Sequence, residues 1–196
     1  MKTIFIILLL SFSAKTNAMK IQTATFGSGC FWCTEAIFQE VKGVISATSG
    51  FMGGKIENPT YEQVCTGNTG FAEVVQIKFD SSIISYDELL EIFWKTHDPT
   101  TLNQQGADKG THYRSVIFYH SKNQKHAAEN YKILLEKAEI WNNRIVTEIT
   151  KASIFYSAEN YHQDYYDQNK STNSYCTFVI TPKVEKFRKV FKNKLK

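Results

Sequence analysis

The chain has 196 residues, 42% of them apolar and 21% charged, which is enough to bury one core and excludes a disordered chain, a collagen-like repeat and a multi-pass membrane protein. The net charge of +4 is confined to the ends: residues 1–18 hold two lysines and no acid, residues 183–196 hold seven bases against one acid, and the body between has 14 bases against 18 acids. A nucleic-acid-binding body is therefore not expected, and the four cysteines read equally as a disulfide framework or a reaction centre.

Residues 1–18 open with Lys2, continue through an apolar run over 4–10 and end with Thr16 and Ala18 at the −3 and −1 positions of a cleavage site. This is the pattern of a signal peptide cleaved before Met19, since the run is well short of the ~20 residues that span a bilayer. The expected mature chain, residues 19–196, goes to a secreted, periplasmic or other cell-envelope location, without stable membrane insertion and as a monomer.

All ten glycines lie between Gly27 and Gly110, so turns and close backbone approaches belong to the first half. Residues 21–26 alternate as a strand, Gly27-Ser28-Gly29 turns the chain, and residues 30–41 follow as a largely buried helix. Strands are expected over 44–51 and 72–79, the latter with Val75, Ile77 and Phe79 facing opposite to Val74, Gln76 and Lys78. Helices over 86–97 and 122–139 are flanked by strands over 115–119 and 144–149, and a polar, tyrosine-rich helix covers 157–169. Residues 170–175 read as a mobile run. Thr181-Pro182 then opens a basic amphipathic helix over about 182–196, with Val184, Phe187, Val190, Phe191 and Leu195 on its apolar side. The order predicts an α+β fold: a single layered domain, a mixed sheet with flanking helices around a ferredoxin-like βαβ core, and long coil segments.

Gly29-Cys30-Phe31-Trp32-Cys33 is the strongest chemical signal. It places Cys30 at the first turn of a helix, where unpaired N–H groups and the helix dipole favour thiolate over thiol. A buried packing cysteine is the bland alternative, and the second thiol three residues on argues against it. Cys30-x-x-Cys33 alone points to a thiol–disulfide oxidoreductase, but the tryptophan lies between the cysteines instead of before them. The glycine pair has neither the third glycine of a dinucleotide fingerprint nor the Lys-Ser/Thr of a phosphate loop. The five histidines lack zinc-type spacing.

The segment GCFWCTE over 29–35 resembles the active-site signature of the peptide methionine sulfoxide reductase A family. The blocks NPTYEQVC over 58–65, TGNTGFAEV over 66–74, DKGTHYRS over 108–115 and AENYHQDY over 158–165 extend the resemblance across most of 21–176. The resemblance implies that Cys30 attacks the sulfur of methionine (S)-sulfoxide, leaving a cysteine sulfenic acid. It implies Glu73 as proton donor to the leaving oxygen, with a pKa raised by burial; strand alternation alone leaves a solvent-facing acid as the competing reading. Tyr61 and Tyr113 match tyrosines that hydrogen-bond the sulfoxide oxygen, Asp108 matches a supporting aspartate, and Phe31 with Trp32 matches the apolar wall around the substrate methyl group.

The family pattern places a resolving thiol at Cys176. Cys33 stands where the family usually has glycine, so Cys33, Cys176 or both in sequence can resolve the sulfenic acid, with Cys176 favoured first. Cys65 reads as a buried structural thiol, and Phe71, where the family often has histidine, as part of the pocket rim. The implied cycle needs no metal, flavin or nicotinamide and draws electrons from a thioredoxin-like reductant; its substrates are oxidised proteins and free methionine sulfoxide. The alternatives are a secreted thiol–disulfide oxidoreductase using Cys30 and Cys33, and an interaction domain using its basic tail.

Overall fold

The computed structural model describes residues 19–196, so the leader assigned to residues 1–18 lies outside the described residues. In chain order the elements are β1 (Ile21–Ser28), α1 (Phe31–Gln39), β2 (Val44–Met52), α2 (Tyr61–Cys65), β3 (Ala72–Asp80), α3 (Tyr86–Thr96), the two-residue strands β4 (Gln104–Gln105) and β5 (Asp108–Lys109), β6 (Ser115–Tyr119), α4 (Lys122–Lys137), β7 (Glu148–Lys151), β8 (Tyr156–Ser157), α5 (Tyr165–Asn169) and α6 (Thr181–Val190).

Six strands form one sheet in the order β7-β6-β1-β3-β2-β8. Every neighbouring pair is antiparallel except β6 with β7. The inner four, β6-β1-β3-β2, give the expected ferredoxin-like core: β1 and β2 run parallel, α1 connects them, and β3 inserts between them. Alternation assigns the two faces. Val75, Ile77 and Phe79 of β3 point to the helices, where the Phe26 ring lies 5.6 Å from Phe38 of α1 and 5.0 Å from Phe93 of α3. Val74 points the other way, into a smaller cluster with Met52, Ala72, Val116 and Phe118 that is covered by Ala152 and Phe155. Each fully buried phenylalanine contributes roughly 1.5–3 kcal/mol, so the aromatic layer under α1 and α3 fixes the position of α1 on the sheet.

Four expectations need correction. The strand placed at 144–149 is β7, which begins only at Glu148; Ile145 and Thr147 are buried, but the Val146 N–H donates to Pro99 O at 2.9 Å rather than to a strand. Their alternation is therefore that of a coil laid against the core. The helix over 157–169 is broken into β8, a 3₁₀ turn at Asn160–His162 and α5, because Asp164 takes the left-handed conformation at φ 52°. Residues 170–175 are not a loose run: the Asn173 side chain accepts from the N–H of Tyr175 at 2.8 Å and of Cys176 at 3.3 Å. It thereby starts a helical stretch that passes through a π-helical turn at Cys176–Ile180 into α6. Finally, α6 ends at Val190, which is 52% exposed rather than on the apolar side. The tail turns back to bridge Leu195 to Val41 beside the end of α1.

Candidate active site

Gly27 and Gly29 carry β1 into the site. A Cβ at Gly27 would sit 2.9 Å from the Glu73 carbonyl oxygen, so glycine lets β1 pass close to β3 there. Gly29 has φ +91°, a turn that side-chain-bearing residues rarely adopt. The turn delivers Cys30 as the residue capping α1, buried, with no side-chain hydrogen bond closing the helix end. Closure comes from the sheet instead. The Phe31 N–H donates to Glu73 Oε2 at 3.0 Å, so the acid of β3 occupies the positive end of the helix that starts at Cys30.

Glu73 is 1% exposed. Burial is the main cause that raises its pKa to about 8; the Phe31 hydrogen bond opposes the rise, and the charges of Asp108 and Cys33 add to it. The carboxyl is thus largely protonated near neutral pH. Its Oε1 has no partner among the described residues, so a proton held there is free to be given to a bound oxygen. The solvent-facing reading of Glu73 is overturned for a simple reason: alternation puts Glu73 on the side of Val75 and Ile77, the face covered by helices.

The sequence argument expected the helix end to favour a Cys30 thiolate, and the structure corrects it. Burial pushes the Cys30 thiol well up, and the hydrogen bond and charge of Cys33 push it further. Cys33 is drawn down to about 7, first by the hydrogen bond from Cys30 and also by Lys183, whose Nζ stands 3.7 Å from Cys33 Sγ, against the effect of burial. Desolvation outweighs the helix end at Cys30, and the thiolate character of the resting pair lies on Cys33. Cys176 is fully buried, its thiol raised by burial and then by the charge of Cys33.

Polar groups converge around these thiols. Tyr61 and Tyr113 are both kept neutral, with pKa values raised first by burial and then by the charge of Glu73. Asp108 Oδ2 accepts a 2.6 Å hydrogen bond from the Tyr175 hydroxyl, which in turn tempers the rise at Cys30. Phe31 is buried and stacks on Tyr61 at 6.2 Å. Trp32 is half-buried; its ring lies flat on Tyr165 at 3.7 Å and its indole N–H donates to His162 Nδ1 at 3.2 Å. His162, 4.3 Å from the Tyr61 ring, ties Trp32 to Tyr61.

Residue-level reasoning missed Tyr175, His162, His112 and Lys183. The first three lie inside or beside recognised blocks, but nothing local shows that they reach the site, and Lys183 sits in a run of surface bases. Two other expectations change. Cys65 is exposed, not buried, and its sulfur belongs to the site, within 4.8 Å of donor atoms of Glu73 and His112. Phe71 is buried in the core, edge-on to Tyr156 at 5.7 Å, rather than on a rim. The chemistry does not use the roomy hollow of about 700 Å³ lined by Leu135, Glu139, Trp141 and Arg144, which contains no cysteine.

A family model described as peptide methionine sulfoxide reductase matches residues 22–195. The peptide methionine sulfoxide reductase MsrA of Saccharolobus solfataricus is 56% identical over 176 residues, covering 90% of this chain and 98% of the relative. The crystal structure of Mxr1 from Saccharomyces cerevisiae in reduced form superposes with a TM-score of 0.71 at 33% identity over 81% of this chain and 93% of that one. Methionine sulfoxide reductase A of Corynebacterium diphtheriae gives a TM-score of 0.68 at 37% identity over 76% and 75%. Mxr1 in complex with Trx2 gives 0.52 at 25% identity over 79% and 91%. These relatives lend no support to a thiol–disulfide oxidoreductase built on Cys30 and Cys33.

Proposed function

We infer the catalytic cycle from one premise: the chain belongs to the peptide methionine sulfoxide reductase family and is a peptide-methionine (S)-S-oxide reductase. Cys30 is the nucleophile and Glu73 the proton donor. The observation that carries this reading is the buried carboxyl of Glu73, bonded through Oε2 to the helix end at Cys30 and unpartnered at Oε1.

Cys30 sulfur attacks the sulfoxide sulfur as its proton passes to Cys33, with which it shares a hydrogen bond. Glu73 protonates the sulfoxide oxygen, which Tyr61 and Tyr113 orient by donating hydrogen bonds, and methionine leaves with its lone pair restored. The oxygen, now a hydroxyl, passes from the methionine sulfur to the Cys30 sulfur as the bond between the two sulfurs breaks, leaving a Cys30 sulfenic acid. Asp108 acts through Tyr175, holding that hydroxyl against Cys30. Trp32, braced by Tyr165 and His162, supplies the apolar surface for the methyl group, and buried Phe31 supports it from behind.

Cys33 resolves first: its thiol is drawn down to about 7, and its N–H donates to the Cys30 carbonyl at 3.2 Å, one turn along the same helix. Carrying the proton it took from Cys30, Cys33 attacks the sulfenic sulfur; the S–S bond forms as the S–O bond breaks, and that proton leaves with the hydroxyl as water. Cys176, within electrostatic reach of Cys33, exchanges into that disulfide, and a thioredoxin-like dithiol returns the enzyme to its reduced form. The complex of the related Mxr1 with Trx2 supports that donor class. Both free and protein-bound methionine sulfoxide present the sulfoxide and methyl group that this reading assigns to Glu73 and Trp32. Residues 1–18, which precede the family match at 22, support export of the mature chain.

The test is a single turnover of reduced protein with one equivalent of methionine (S)-sulfoxide, followed by mass mapping of disulfides. One methionine and a Cys30–Cys33 disulfide are expected, with no methionine from the Cys30→Ser variant. A first disulfide joining Cys30 to Cys176 would reverse the assigned order.

A further inference from the structure

We propose that Cys65, Glu73 and His112 form a binding site for a zinc-type divalent cation whose occupancy blocks the active site. One donor atom from each residue lies within 4.8 Å of the other two. The three come from separate elements: the end of α2, strand β3, and the 3₁₀ turn Thr111–Tyr113. Such convergence is not a by-product of one helix face or one loop.

A second observation points to a ligand. Glu73 and His112 are 1% and 5% exposed, yet Glu73 Oε1 and His112 Nδ1 have no hydrogen-bond partner among the described residues. Unpaired polar atoms at that depth carry a desolvation penalty, and a cation taken up by the free Glu73 oxygen removes it there. The imidazole is also held in place. A Cβ on Gly110 would come within 2.5 Å of the His112 ring, and the Tyr113 ring lies 4.0 Å from it on another side.

The donor set selects the ion class. Thiolate, imidazole and carboxylate suit zinc rather than magnesium or calcium, and three protein donors leave the fourth tetrahedral position to water. Zinc bonds of about 2.0–2.3 Å need donors roughly 3.3–3.6 Å apart, so from separations of at most 4.8 Å the group closes by no more than about 1.5 Å. Cys65, exposed on a five-residue helix, is the member placed to move and also leaves an entry path. The ion is an inhibitor, not a participant: with Glu73 coordinated, no proton is available for the sulfoxide oxygen. That consequence rests on the proton-donor reading of Glu73, whereas binding does not.

The test uses the reduced full chain, zinc ion in competition with a chromophoric chelator, and cobalt(II) as a spectroscopic substitute. Wild type should bind one ion and show a thiolate-to-cobalt charge-transfer band. Loss of an outer-shell partner alone weakens metal binding about 10–100-fold, so Cys65→Ala and His112→Gln should each weaken it by at least about tenfold. Cys33→Ser should keep both affinity and band. Binding retained in Cys65→Ala but lost in Cys33→Ser would place the ion on the redox thiols and overturn the site; exposed Cys65 keeps this arm readable even if His112→Gln fails to fold. Zinc should also suppress single-turnover methionine release by wild type and not by Cys65→Ala. Binding at the three residues without suppression would leave the site standing and refute proton donation by Glu73.

Discussion

The Phe31 N–H and the Glu73 carboxyl meet at 3.0 Å across 42 residues of sequence. This contact makes one acid serve two ends: it closes the helix that starts at Cys30, and in the proposed cycle it supplies the proton when the Cys30 sulfur attacks. Glutamine keeps an oxygen acceptor for Phe31 but holds no acidic proton. Glu73→Gln should therefore fold and slow single-turnover methionine release by about 10²–10⁴, the usual contribution of a positioned acid. The wild-type step should also weaken as pH rises through about 8, where the carboxyl ionises. A stopped-flow pH series measures both; an unchanged rate in the variant would remove Glu73 from proton transfer.

The same raised pKa makes a stability prediction with a definite sign. The folded carboxyl is raised to about 8 from its ordinary value of 4.5, so between those values the folded chain binds a proton that the unfolded chain does not. Stability from this group is fully present below about pH 4.5 and is lost as pH rises toward 8. Relative to Glu73→Gln, wild type should lose on the order of a few kcal/mol between pH 5 and 8. Glu35, also buried and raised to about 7, is common to both proteins and cancels in the difference. Urea denaturation under reducing conditions at several pH values gives the comparison, and a difference independent of pH would contradict a protonated Glu73.

Lys183 has no counterpart in the sequence argument. Replacing it with methionine keeps the aliphatic stem and removes the charge 3.7 Å from Cys33. The Cys33 thiol should then titrate higher, and its alkylation at pH 7 should slow by roughly threefold or more. Decay of the Cys30 sulfenic acid should slow in parallel. Equal alkylation rates for Cys33 in the two proteins would show that Lys183 exerts no influence there.

In the proposed cycle Trp32 presents the ring surface for the substrate methyl group. Trp32→Ala removes that surface and its stack on Tyr165. Loss of an apolar contact of this size is worth about 1–3 kcal/mol, so KM should rise roughly tenfold or more. The effect on kcat should be smaller, because the proton donor and thiols are untouched. A kcat loss with KM unchanged would assign Trp32 to the chemical step.

Gly29→Ala tests the turn. Its φ of +91° is strained for alanine, and the new Cβ would meet Gln105 Cβ at 2.5 Å. Destabilisation of about 1–3 kcal/mol is expected, together with slower turnover as Cys30 shifts relative to Glu73. Thermal melts and steady-state rates on one preparation check the two effects together.

The sequence by itself determined what depends on near neighbours. Alternation along β1 and β3 and the glycine turn before Cys30 are written in spacings of two to four residues, where the contacts that enforce them also lie. The same locality explains the errors at 144–149 and 157–169. Alternation of Ile145 and Thr147 describes burial without saying what covers them, and the left-handed Asp164 leaves no periodic mark. Only the tertiary structure decided the chemistry of the thiols. Cys30 is titrated by its burial, Cys33 by its hydrogen bond with Cys30 and then by a lysine 150 residues away, and Cys65 stands beside Glu73 and His112 instead of in the core. These are effects of desolvation and of charges brought within a few ångströms by long-range packing. Local spacing placed Cys30 at the head of a helix; the fold set which sulfur holds the proton.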